Sequence, residues 1–189
     1  MEIQLTPTQK ENRFNSDYYV EGYATTFTPY LLYHDMEDGD VYERIDRNAF
    51  QNAVMDDVIF QFDHAGRVFA RTSNDTVHLS IDDKGLFVAA DLSKTQNARN
   101  LWEDINAGMI TKMSWRFTIA DGGQSFDPST NTISINRVSK VFDVSAVSIP
   151  ANQGTSISAR GKEFVKSWKI EQRKQHTEKV EKLLLELEK

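Results

Sequence analysis

Short runs of alternating apolar and polar residues recur along the chain, each closed by turn-forming residues. A period of two marks strands that bury one face. The run "YYVEGYATTF" (18–27) contains Gly22, which suggests a bulge or a close backbone approach. "DVIFQFDH" (57–64) is a second run, and "TVHLSIDDKGLFVAADL" (76–92) reads as a hairpin turning at Asp83-Lys84-Gly85. Residues 113–149 supply three more strands, breaking at Asp121-Gly122-Gly123 and again after Asp127-Pro128. Two segments switch to a helical period. In "DRNAFQNAVM" (46–55), Asp46 offers an N-cap, and Ala49, Phe50, Ala53 and Val54 share a face. In "TQNARNLWEDINAGM" (95–109), Thr95 caps a stripe of Ala98, Leu101, Trp102 and Ile105, and Gly108 supplies a left-handed stop. The pattern predicts a mainly β protein with α elements. Its expected form is a closed or nearly closed antiparallel β-barrel of about six or seven strands decorated by short helices.

The last stretch differs. Residues 161–189 contain no Pro, and no Gly after Gly161, and Val180, Leu183, Leu184 and Leu187 follow an i, i+3, i+4, i+7 spacing. Between Glu171 and Glu178 apolar residues are missing. These features predict a barrel domain over 1–160 and a C-terminal amphipathic helix over 161–189, mobile or held by a partner, with docking on the barrel as the alternative.

Composition narrows the function classes. Hydrophobic residues make up 39% of the 189, with 11 Phe, 6 Tyr and 3 Trp, enough for a real core. Net charge is −6, so no general nucleic-acid affinity is advertised. The tail from Gly161 carries 8 Lys+Arg against 6 Glu, leaving 14 against 22 in the first 160 residues. Cysteine is absent, which removes disulfides, thiolate nucleophiles and zinc–thiolate sites. The N-terminal stretch lacks the basic and apolar segments of a signal peptide, and no apolar run approaches the ~20 residues of a membrane helix. A soluble, intracellular protein is expected.

Groups able to do chemistry are few. His176 lies in the polar tail, and His78 alternates with Val77, Leu79 and Ile81 on the opposite face. His34 belongs to "YHDMEDGDVYER", whose spacing fails an EF-hand because His34 and Met36 fall where acidic ligands are required. His64 ends an apolar strand just before Ala65-Gly66, where a side chain is held firmly yet can face a cleft. Ser114 interrupts the apolar strand "MSWRF" with a hydroxyl that needs a base to become nucleophilic. Asp143 interrupts "KVFDVSAVSI", where a carboxylate is costly unless paired. Taken as residues alone, a satisfied structural histidine is favoured over a catalytic one at His64, and Ser114 as a small polar filler stays open.

The order of blocks adds to this. "VEGYATTF", "YERIDRNAFQNAV", "FQFDHAGRVFAR", "INAGMITKMSWRF" and "FDVSAVSIPAN" follow one another in the chain. Together, over roughly residues 18–160, they resemble the prohead (capsid maturation) serine proteases of tailed bacteriophages, whose fold is shared with herpesvirus assemblin proteases. The family's histidine falls on His64, its serine on Ser114 and its acidic residue on Asp143. Two departures stand out: a glycine usual before Arg71 is Ala70, and an acidic position often occupied by Glu carries the shorter Asp143. Ser145, two residues on, could contribute or substitute.

The resemblance implies a serine endopeptidase without cofactor or metal. Such an enzyme trims the scaffolding segment of the major capsid protein or a scaffold protein, and itself, inside the immature prohead in the host cytoplasm. It implies no nucleic-acid or membrane partner; the C-terminal helix would address the enzyme to the scaffold or drive self-association. Backbone amides near Ser114, or in the loop around Arg137, are the candidate oxyanion donors. Two rivals remain: a non-catalytic capsid- or scaffold-associated barrel, and a hydrolase using a metal held by residues 34–40.

Overall fold

The computed structural model describes residues 13–36, 39–149 and 156–187. In chain order the strands are β1 (Tyr19–Thr26), β2 (Tyr30–Asp35), β3 (Gly39–Ile45), β4 (Ile59–Phe62), β5 (Ala65–Arg71), β6 (Val77–Ile81) and β7 (Gly85–Asp91). Helix α1 (Gln96–Asn106) follows, then β8 (Lys112–Ile119), β9 (Gln124–Asp127), β10 (Thr132–Ile135), β11 (Val138–Val147) and helix α2 (Ser156–Leu187). The protein is mainly β with two helices, as the alternation predicts. The described residues hold eleven strands, more than the six or seven expected. The pair β2–β3 was hidden because β3 turns a glutamate, Glu43, inward between Val41 and Ile45.

The expected closed barrel is not what forms. The strands pair as three open sheets, β1-β7-β6, β2-β3-β10-β9 and β5-β4-β11-β8. Two pairings are parallel, β10 with β3 and β11 with β4, so the ladders are mixed rather than uniformly antiparallel. One ladder ends in a short outer strand, β9, which is only four residues long. Closure is replaced by packing. All three sheets send side chains into one core, including Val20 and Leu86 from the first, Ile45 and Ile133 from the second, and Phe60 and Val144 from the third.

Local chemistry explains most of the boundaries. Thr95 accepts from the Ala98 amide (3.1 Å), and Gly108 takes a positive φ of 73° just beyond α1, as the caps predict. The β6–β7 turn is fixed by Asp82, whose Oδ1 accepts from the Lys84 and Gly85 amides. The bulge in β1 falls between Tyr23 and Thr25, not at Gly22, which pairs regularly with Val88.

Residues 46–55 form successive turns instead of a helix. Ala49, Gln51 and Ala53 each donate to the carbonyl three residues earlier. The longer-range groups are claimed by neighbouring strands: Val138 N–H donates to the Ala49 carbonyl, and Val54 exchanges bonds with Ser139 and Val141. Ala49 and Phe50 are buried as the pattern requires, but Val54 is exposed.

Helix α2 begins ahead of Gly161 and its early turns lie on the second sheet. Val165 is buried, the Trp168 ring meets Phe126 edge-on at 5.2 Å, and Arg160 pairs with Glu43 at 2.5 Å. Gly161 approaches so closely that a Cβ there would stand 2.7 Å from Leu32 Cδ2. From Ile170 onward the side chains described are exposed.

Candidate active site

Three adjacent strands of the third sheet build the site. β11 runs between β4, parallel to it, and β8, antiparallel to it. The register sets Ser145 opposite Ser114 and Asp143 opposite Arg116. Because strand side chains alternate, Ser114 and Arg116 share one face of β8, matching the face of β11 that carries Asp143 and Ser145. Directly opposed residues hold their Cβ atoms roughly 4.5–5.5 Å apart. The other face of β8 goes to packing, where Trp115 and Phe117 stack at 3.8 Å and Trp115 meets Phe50.

His64 arrives from the third strand. Just past β4, Asp63 and His64 both take left-handed backbone, with φ of 48° and 56°. Such conformations are unfavourable for non-glycine residues and persist where surroundings impose them. Here the surroundings are explicit. The Asp63 amide donates to the Ala146 carbonyl (2.9 Å), and the Asp63 carboxylate accepts from the Ser148 amide (2.9 Å) and hydroxyl (2.8 Å). Gly66, also at positive φ (71°), then lets the chain return as β5.

The turn delivers the imidazole onto Asp143. His64 Nδ1 lies 2.5 Å from Asp143 Oδ1. Ser145 Oγ donates to the same oxygen at 2.8 Å, and Arg116 Nε stands 3.3 Å from Oδ2. Asp143 is only 1% exposed, so its charge depends on these partners. A carboxylate only accepts, so Nδ1 carries the hydrogen; in the neutral ring Nε2 then holds the lone pair that a general base needs. Arg116 also donates to the His64 carbonyl at 2.5 Å.

The three residues singled out in the sequence are thus placed as follows. His64 and Asp143 are in direct contact. Ser114 occupies the next strand, one cross-strand step from Ser145, and makes no hydrogen bond to His64. It is 7% exposed, and no described residue partners its hydroxyl. Sequence reasoning missed Arg116 and the Asp63–Ser148 clamp. Only the same-face spacing of Ser114 and Arg116 carried a signal.

Other candidates disperse. His34 pairs with Asp40 across the β2–β3 hairpin at 2.8 Å. His78 is contacted by Arg13 (3.1 Å) and burial lowers its basicity. No group of three or more potential metal ligands occurs among the described residues; Glu37 and Asp38 of the acidic loop lie outside them. The loop around Arg137 is the wrong place for an oxyanion donor. Val138 pairs with Ile119, at the far end of β8 from Ser114, and Arg137 donates to the Asp121 carbonyl. That is about 16 Å along the strand at ~3.3 Å per residue. The Pro150-Ala151-Asn152 end of the last sequence block also lies outside the described residues.

A mixed-sheet β protein that holds a buried carboxylate on an imidazole, with a serine on the adjoining strand, has the layout of a serine hydrolase. The family model for the caudovirus prohead serine protease matches residues 6–172, and the chain belongs to that family. No curated protein and no solved structure gives a match. Membership makes the protein one of a serine peptidase family that works with phage capsid proteins inside the prohead.

Proposed function

We propose that the protein is a prohead maturation endopeptidase that uses Ser114 as nucleophile, His64 as general base and Asp143 as the group that orients and charge-pairs the imidazole. The observation that carries this reading is the 2.5 Å contact between His64 Nδ1 and Asp143 Oδ1, made one strand away from Ser114. Substrate binding brings Nε2 to the Ser114 hydroxyl, a contact that often tightens only in the complex. Ser114 Oγ then bonds to the scissile carbonyl carbon while its proton passes to Nε2. Collapse of the oxyanion breaks the C–N bond, and the leaving amine takes the proton from His64. Water adds to the resulting ester with His64 again accepting a proton, and the second collapse frees the acid and restores Ser114.

The substrate in this reading is the scaffolding segment of the capsid or scaffold protein, together with the protease's own chain. The free part of α2, with Val180, Leu183 and Leu184 exposed, addresses the enzyme to a scaffold helix. The test is co-expression with the phage capsid protein and intact-mass analysis of the products. Wild type should yield a shortened capsid protein and Ser114→Ala only the full-length one. Equal processing by both would return the protein to the class of non-catalytic capsid components.

A further inference from the structure

Among the described residues, Arg116 is the one charged residue that grips both halves of the His64–Asp143 unit. Its Nε faces Asp143 Oδ2 at 3.3 Å while a terminal nitrogen donates to the His64 carbonyl at 2.5 Å. Both contacts fall on features that need support. Asp143 is 1% exposed, and Oδ1 is already used by His64 and Ser145, so Oδ2 needs its own donor. His64 has φ of 56° and lies at the end of a left-handed pair whose other member, Asp63, is tied separately to Ser148. The planar guanidinium presents several N–H groups in a fixed fork, which suits a carboxylate and a carbonyl side by side. A Lys ammonium at the same position reaches one of them.

Resting on the serine-protease reading above, we propose that Arg116 is a positioning residue that locks the His64 turn to Asp143 and sets the working pH of the base. The electrostatic part follows from where the charges lie. Asp143 from β11 holds the imidazole and Arg116 from β8 holds Asp143, whereas Asp63 of the same turn is turned onto Ser148. The Asp143 carboxylate favours protonated His64, and the Arg116 cation on the same carboxylate opposes that protonation. Removing the cation leaves Asp143 balanced by His64 alone, so the histidine stays protonated to higher pH. Removing the fork while keeping the charge loosens the turn without that shift.

The experiment measures the rate at which an alkyl fluorophosphonate labels Ser114, between pH 5 and 9, for wild type, Arg116→Gln and Arg116→Lys. The reagent forms an Oγ–P bond and releases fluoride as His64 takes the serine proton. Arg116→Gln should move the half-rate pH upward by about half to one pH unit and lower the limiting rate roughly 10–100-fold, the scale of a misplaced catalytic group. Arg116→Lys should keep the wild-type half-rate pH but share the lowered limiting rate. If Arg116→Gln does not fold, the Lys variant alone decides, because a wild-type limiting rate there overturns the clamp. Unchanged rate and pH in both variants overturn the whole proposal while leaving Ser114 labelled. Absence of Ser114 labelling in the wild type instead overturns the underlying reading of the site.

Discussion

At the level of single residues, the two serines facing each other across β8 and β11 are chemically unlike. Ser145 is fully buried and spends its proton on Asp143, so its oxygen is neither accessible nor free to attack. Ser114 has no such commitment among the described residues and is 7% exposed. A fluorophosphonate should therefore modify Ser114 alone, and peptide mapping of the adduct reads this directly. Ser145→Ala should label normally in position, with a rate lowered only several-fold, because one of three donors to Asp143 is lost; an adduct on Ser145 would reverse the two roles. Ser114 and Asp143 stood out in the sequence because each is a polar residue breaking an apolar strand, and His64 because it ends one before a small-residue turn. Arg116 stayed hidden, since an arginine on a strand is ordinary until the cross-strand register shows which carboxylate it opposes. The Asp63–Ser148 clamp was invisible for the same reason: the two residues meet only because β4 and β11 run parallel.

Among the elements, α2 carries two tasks along one rod. Its early turns cover the second sheet through Val165, Phe164 and Trp168, with Gly161 permitting close approach to Leu32 and Tyr33. Its later turns stand exposed, supported by i, i+4 partners such as Gln175 with Glu171. Helix nucleation is costly and most helical stability comes from packing, so the docked turns act as the nucleus for the rest. Truncation after residue 170 should leave the thermal midpoint nearly unchanged and spare fluorophosphonate labelling of Ser114. Truncation after residue 160 strips Val165 and Trp168 from the core and should cost about 3–5 kcal/mol, seen in urea unfolding. Equal stability of the two truncations would mean that the early turns do not belong to the folded body. The tail's composition marked residues 161–189 as unlike the rest, but the docked start was less legible. The apolar residues there, Phe164, Val165 and Trp168, needed the exposed side of β2 and β10 before their face had meaning. Likewise 46–55 has a helical pattern of apolar residues, and strand neighbours take its backbone bonds instead.

Across the whole molecule, the second and third sheets and α2 are tied together at Glu43. It points inward from β3 and is wholly buried. One oxygen accepts from the Tyr30 hydroxyl on β2, and the other accepts from Arg160 on α2 at 2.5 Å. Arg160 in turn lies over the Phe117 ring of β8, 5.2 Å from its centre, linking the knot to the strand that bears Ser114. Burial pushes the Glu43 carboxyl above its ordinary 4.5, and the Arg160 cation only partly opposes this. The same enclosure, with the Glu43 charge beside it, drives the Tyr30 phenol well above its usual 10.0. The sign of the consequence is fixed. A carboxyl raised in the folded state holds its proton where the unfolded chain has lost it. Its contribution is therefore complete below about the unfolded value and is lost as pH rises through the folded one. Other acids titrate too, so the measurement is a difference between wild type and Glu43→Gln, whose amide does not titrate. From pH 4 upward, wild-type stability relative to Glu43→Gln should fall, at no more than about 1.4 kcal/mol per pH unit, and then level off. A difference that is flat, or that grows with pH, would mean that Arg160 holds Glu43 ionised throughout and that burial does not govern it.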